Sequence, residues 1–386
     1  MALVGIDGKP INVYDAKANK ILQTAGIGIR DGLIKTVGNV SEDSGLDVVY
    51  VQENQIVLPE ITDLHVHLAN IFWSRYMDPD KHCHARGTGR AVDAGSTGAI
   101  NFEGFRKLVI DDPRIRAHVL AFLNIMPGGL ILPNGEAREM YRFADLPETI
   151  RIAKENQDVI VGMKVRIGSN ECRENWKKVL SDAKNVGEKI GKPIMVHVSD
   201  GPPPLEEVLK MLRQGDIVTH CYHGKEPHDQ MTILRDKKLM KAVINARKRG
   251  ILFDVGHGGG SFDWNVVFAA VSLGFDPDTI SSDLHDFSQH NAKSLLHVMS
   301  KMHHVGIAMN DVFGMVTANA AEAIGFPRNS AHIAPGKPAN MVVINVLESE
   351  TGFPGLDGAV GSTQPSVQRM KKLFTKGTMI TEGVVW

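Results

Sequence analysis

Cysteine is scarce in this sequence: Cys83, Cys172 and Cys221 are the three among 386 residues. Three thiols cannot form a disulfide framework, and such usage suits a reducing cytoplasm. Neither sign of charge dominates. Lys plus Arg number 43 against 44 for Asp plus Glu, a net charge of −1. That balance argues against nucleic acid as the main ligand, because phosphate binding usually shows as a basic excess. No apolar run approaches the roughly 20 residues of a membrane span. Met1 to Pro10 lack the basic and apolar regions of a signal peptide, so none is expected. Low-complexity tracts and internal repeats are missing as well. What is present is ordinary for a folded protein, 43% hydrophobic and 23% charged. Histidine is the outlier, with 16 residues against 5 Tyr and 4 Trp. These traits lead us to expect a cytoplasmic homo-oligomer with a small-molecule substrate and no nucleic-acid or membrane partner.

The organisation changes along the chain. Residues 1–57 read as short β elements broken by Gly and Asp, with Asp31-Gly32 between apolar runs as a hairpin signal. The last stretch looks similar, from the apolar Met341-Val-Val-Ile-Asn345 to the terminal Val-Val-Trp386. Between them, apolar runs occur at Val57–Val66, Gly98–Phe102, His118–Leu123, Val159–Val165, Ile194–Val198, Asp216–Thr219, Ile251–Val255 and Thr279–Leu284. Most are followed by helix-like stretches such as Pro204-Leu-Glu-Glu-Val-Leu-Lys-Met-Leu-Arg213. Eight β-then-α units predict an α/β fold, a (β/α)8 TIM-type barrel over residues 58–326. Residues 1–57 and 327–386 are then expected to pair as a small discontinuous β-sandwich domain.

Several polar residues interrupt or end these apolar strands. In Leu58-Pro-Glu-Ile-Thr-Asp-Leu-His-Val-His-Leu68, His65 and His67 fall on the same face of a strand and can grip one metal ion. Lys164 lies within Val159–Val165, His197 within Ile194–Val198, His220 just after Asp216–Thr219, and Asp283 near the end of Thr279–Leu284. Each alone has a plain structural reading: a hydrogen-bonded core histidine, a snorkelling lysine, a helix-capping aspartate. Together they form a His, His, Lys, His, His, Asp ring at one barrel mouth, the C-terminal face where barrel chemistry sits.

The ordered set resembles the amidohydrolase superfamily. Its binuclear members carry His-x-His on the first barrel strand, a lysine on the fourth, histidines on the fifth and sixth, and an aspartate on the eighth. The flanks are similar too, in Ile333-Ala-Pro-Gly-Lys-Pro-Ala-Asn-Met-Val-Val-Ile344 and the preceding Thr317-Ala-Asn-Ala-Ala-Glu-Ala-Ile-Gly325. Phosphotriesterase-like members usually lack this flanking domain, and cytosine and adenine deaminases typically lack the lysine. Met163-Lys-Val-Arg166, Val196-His-Val-Ser-Asp200, Thr219-His-Cys-Tyr-His-Gly224 and Asp254-Val-Gly-His-Gly-Gly-Gly-Ser-Phe262 look like a deacetylase branch often labelled as dihydroorotases.

The resemblance implies two divalent metal ions held by His65, His67, Lys164, His197, His220 and Asp283, with Lys164 modified to N6-carboxylysine by CO2. Zinc suits imidazole and oxygen ligands in a reaction without redox chemistry. A metal-bridging hydroxide would attack an acyl amide or ester of a small carboxylate-bearing compound, with Asp283 as the catalytic base and then acid. Arg166 faces the side of Lys164 and can hold a substrate carboxylate in a bidentate fork, or form a salt bridge at the rim. Gly259, Gly260 and Ser261 can cradle an anion, or form a flexible turn. His257 and Tyr222 are weaker candidates at the same mouth. His82-Cys83-His84 reads as a solvated loop rather than a second metal site. The alternatives are a cyclic amidase of the dihydroorotase or hydantoinase type, and a non-catalytic scaffold that would be expected to have lost these ligands.

Overall fold

The computed structural model describes residues 1–40, 47–69, 76–131, 140–168, 172–199, 201–224, 231–349 and 377–381. Asp200 and the terminal Val384-Val385-Trp386 therefore lie outside the described residues. The N-terminal stretch forms β1 (Ala2–Gly5), β2 (Ile11–Asp15), β3 (Lys20–Thr24), β4 (Gly26–Arg30), β5 (Leu33–Val37), β6 (Val48–Val51) and β7 (Gln55–Pro59). Asp31 and Gly32 join β4 to β5 with φ of 54° and 69°. Two positive φ values in a two-residue loop match the right-handed twist of the strands, so the expected hairpin is found.

The central region supplies β8 (Thr62–Val66), β9 (Arg90–Gly98), β10 (His118–Asn124), β11 (Ile160–Ile167), β12 (Ile194–Val198), β13 (Ile217–Thr219), the small hairpin β14 (Leu234–Arg235) and β15 (Lys238–Leu239), and β16 (Leu252–Asp254). The C-terminal part adds β17 (Met341–Ser349) and β18 (Gly377–Thr381). Strand β17 pairs antiparallel with β7, which brings the two ends of the chain into one sheet of order β18-β17-β7-β2-β3. A second sheet has the order β5-β4-β1-β6. Leu3, Ile27 and Ile34 from this sheet share one buried cluster with Val13, Val57 and Met341 from the other. The alternating inward residues of two sheets thus bury each other.

The third sheet is wholly parallel, with neighbours in the order β8-β9-β10-β11-β12-β13-β16. Crossovers carry helices such as Leu146–Glu155, whose first turn is capped by the Asp145 carboxylate on the Glu148 N–H, and Trp176–Ile190, which ends at Gly191 with φ 66°. Leu64, Val92, Leu120, Phe122, Val161, Met195 and Ile217 come from six successive strands yet form one cluster, closed below by Ala320, Ala323 and Ile324. Only a curled sheet lets those strands share a centre. Segment 279–284 forms single parallel bridges, Thr279 with Asp254 and Leu284 with Val66, rather than a ladder. Backbone bonds fasten it on both sides, the Val255 N–H donating to the Thr279 carbonyl at 3.1 Å and the Asp283 N–H to the His65 carbonyl at 2.7 Å, and Asp63 also accepts from Ser282 N at 3.0 Å and Ser282 Oγ at 2.5 Å.

Two strand assignments change. Gly98–Phe102 was expected as a strand, but the strand is Arg90–Gly98, and a helical turn follows at Phe102–Phe105. Its buried Asp93, Ser96 and Thr97 mask the apolar signal. Val57–Val66 divides at Glu60 into β7 and β8, which belong to different sheets. No helix among the described residues is long and apolar enough to cross a membrane.

Candidate active site

The six singled-out residues converge on one place. His65 lies next to the last residue of β8, with His67 just beyond the strand; Lys164 lies on β11, His197 on β12, and His220 follows β13. Lys164 Nζ is 3.1 Å from His65 Nε2. Asp283 Oδ1 is 3.2 Å from both His65 Nε2 and His67 Nε2. His220 Nε2 is 2.7 Å from His197 Nδ1. His220 and Asp283 adopt φ of 71° and 46°. Both sit in the left-handed region, where a non-glycine residue persists only if its surroundings hold it there.

The imidazoles are held from outside by hydrogen bonds. His220 Nδ1 donates to the Gly256 carbonyl at 2.6 Å, which leaves Nε2 as a lone pair facing the centre. His65 Nδ1 meets Thr219 Oγ1 at 2.9 Å, and His67 Nδ1 meets Ser96 Oγ at 2.8 Å. Asp93 in turn accepts from the backbone N–H groups of Leu68 and Ser96. Bonds of this kind orient metal-ligating histidines.

Burial sets the charges. It pushes the Lys164 amine down to about 7, aided by the nearby Arg166 charge and opposed by Asp283. Burial likewise holds His65 and His197 well below the usual imidazole range and brings His220 to about 3, so these rings stay neutral. For Asp283, burial opposes ionisation, but the hydrogen bond from His67 and the other histidines around it outweigh burial and hold its carboxyl well below the usual range. Neutral imidazoles, a carboxylate and a titratable amine form a donor set that fits a divalent cation.

Three glycines make the packing possible. A Cβ on Gly95 would lie 2.6 Å from Lys164 Cβ, one on Gly256 2.2 Å from Thr219 Oγ1, and one on Gly258 2.4 Å from Asp283 Oδ2. All three have positive φ.

The remaining candidates divide. Arg166 stands opposite His197 in the β11–β12 register, two residues from Lys164 on the same face. Gly259, Gly260 and Ser261 form the turn beyond Gly258; Asn291 Nδ2 donates to the Gly259 carbonyl, and Gly260 faces open space. His257 is buried, and its Nε2 lies 2.9 Å from Lys301 Nζ. Tyr222 is a core residue whose hydroxyl donates to the Phe275 carbonyl. His82-Cys83-His84 is not a solvated loop: it spans two helical turns, with Cys83 and His84 buried. Sequence reasoning missed Thr219, Asp254, Ser96 and Asp93 as supports of the site. The available signal was the one that exposed Lys164, a polar residue inside or ending an apolar run.

A model of the amidohydrolase family matches residues 56–385. This chain belongs to the amidohydrolase family. It is a hydrolase acting on amide bonds, similar to curated deacetylases. One from Agrobacterium fabrum is 33% identical over 351 residues, covering 89% of this chain and 82% of the relative. Another, from Brucella anthropi, is 32% identical over 353 residues, covering 89% and 83%. Among solved structures, a dihydroorotase superposes with a TM-score of 0.83 at 28% identity, over 100% of this chain and 97% of that one. Amidohydrolases generally use a metal centre, and here His65, His220 and Asp283 offer ligand atoms that all lie within 4.8 Å of one another.

Proposed function

We propose that this amidohydrolase is a metal-dependent deacetylase that removes an acyl group from an amide or ester of a small carboxylate-bearing compound. The observation that carries the reading is the convergence of His65, His67, Lys164, His197 and His220, on or just beyond the parallel strands β8, β11, β12 and β13, with Asp283 of segment 279–284. The 33% and 32% identities to deacetylases favour deacylation. The bridges of segment 279–284 to both edges of the parallel sheet support an eight-stranded barrel over 58–326, with 1–57 and 327–386 as the flanking β domain.

The six residues would hold two divalent metals, with zinc favoured by the imidazole and oxygen donors. When bound, the metals supply Lewis acidity to the scissile carbonyl and lower the pKa of water to about 7. Lys164 becomes an anionic oxygen donor when its neutral amine adds to CO2 and releases a proton. Asp283 accepts a proton from the attacking water and returns it to the departing amine or alkoxide. Arg166 holds the substrate carboxylate. The turn of Gly259, Gly260 and Ser261 offers backbone N–H groups and the Ser261 hydroxyl to an anionic part of the substrate.

The test combines metal analysis of the purified protein with a hydrolysis screen of N-acetyl and O-acetyl acids against cyclic imides. Turnover of an acetylated acid by metal-loaded protein is the expected result. Turnover of cyclic imides alone would favour a cyclic amidase, the reading supported by the dihydroorotase superposition.

A further inference from the structure

Asp254 ends β16 and is fully buried. Three hydroxyls converge on it. Thr219 Oγ1 and Ser281 Oγ donate to Oδ2 at 2.7 and 2.6 Å, and Thr279 Oγ1 donates to Oδ1 at 2.8 Å. A hydroxyl has one proton and two lone pairs. Thr219 spends its proton on Asp254, so at its 2.9 Å contact with His65 it can only accept. His65 must then carry its proton on Nδ1, and Nε2 faces Lys164 and Asp283 as a lone pair.

The second arm runs through Ser281. Its proton also goes to Asp254, and its oxygen accepts the Gly256 N–H at 3.1 Å. The Gly256 carbonyl accepts the Nδ1–H of His220. The Gly256 peptide is pressed so closely against both arms that no side chain fits there.

We infer that Asp254 is a positioning residue that fixes the ring tautomer of His65 through Thr219 and, through Ser281 and the Gly256 N–H, holds in place the residue whose carbonyl orients His220. One buried carboxylate thereby sets the inward lone pair of His65 and braces the support of His220, although it lies outside the ligand set. This rests on the metal-dependent reading above and extends it to residues outside that set.

The experiment measures zinc affinity by competition with a chromophoric chelator at fixed pH, for wild type, Thr219→Val, Thr219→Ser and Asp254→Asn. Thr219→Val keeps the shape and removes the hydroxyl, and it should weaken zinc binding about 10–100-fold, the usual cost of losing such an outer partner. Thr219→Ser keeps the hydroxyl and should restore most of the affinity. Asp254→Asn disturbs both arms and should lose more than Thr219→Val. Should Asp254→Asn fail to fold, the Thr219 pair still decides. Wild-type affinity in Thr219→Val, or no rescue in Thr219→Ser, overturns the inference while leaving the metal reading intact. A wild-type protein that takes up no zinc, manganese or iron overturns both.

Discussion

The Lys164 amine lies 3.1 Å from His65 Nε2, with the Met195 sulfur at 3.6 Å. Its immediate acceptors are thus a neutral ring and a thioether, and burial brings the amine to about 7. Much of the group is therefore uncharged at neutral pH, the form that can add CO2. Gly95 leaves the space in which the Lys164 chain lies.

Lys164→Ala should lose activity by at least about 100-fold, since even partners outside the ligand shell cost 10–100-fold. Acetate or propionate added to the assay should restore part of the rate by placing a carboxylate where the carbamate stood. Wild-type turnover and metal content in Lys164→Ala would rule out a carboxylated lysine.

Chelation should abolish turnover and lower the melting temperature, and zinc should reverse both. Ligand present at 100 times its dissociation constant stabilises a fold by about 2.7 kcal/mol. A gain of that size is visible by calorimetry. Equal melting curves with and without chelator, in active protein, would count against a resident metal.

Acid should destabilise the protein partly through His297, which lies one helical turn before Lys301. Burial, with help from the Lys301 charge, pushes its pKa down to about 2. In the unfolded chain it returns to about 6.5, so the unfolded state binds the extra proton between those values. The stability contribution is complete above pH 6.5 and is lost as the pH falls, at up to about 1.4 kcal/mol per pH unit. His297→Gln should flatten the slope of denaturation free energy between pH 7 and pH 5 relative to wild type. Equal slopes would show that His297 is not buried neutral.

The outlines of the site were readable because Lys164 and His197 are polar residues in otherwise apolar strands, and because His65 and His67 repeat with the period of a strand. Strand β9 was not, since its polar Asp93, Ser96 and Thr97 are buried, and the bonds of Asp93 to Leu68 and of Ser96 to His67 come from residues far away in sequence. Segment 279–284 has the composition of a strand but is held by single bridges, scattered backbone bonds to both neighbours and Asp63, a mixture that no local pattern encodes. Asp254 was visible only as the start of a motif. Its role depends on hydroxyls from two other segments, a relation that appears once the chain has folded.

Asp283→Asn is the sharpest test of the catalytic base. The helix-capping alternative is excluded by structure: Ser294, not Asp283, caps the following helix Leu295–His304. The Asp283 carboxylate instead faces His65 and His67. Its backbone has φ 46°, a conformation that Asn tolerates as readily as Asp. The substitution therefore preserves fold and size while removing the charge and the proton-accepting oxygen. Loss of general acid–base help costs about 10²–10⁴-fold, and kcat should fall by at least that factor. KM should change less, because the missing interaction belongs to the transition state. Metal content, measured on the same sample, separates the two roles of the residue. A variant that retains metal but not turnover fits a proton carrier. One that loses metal as well makes Asp283 chiefly a ligand. An active, metal-loaded Asp283→Asn would remove it from the chemistry altogether.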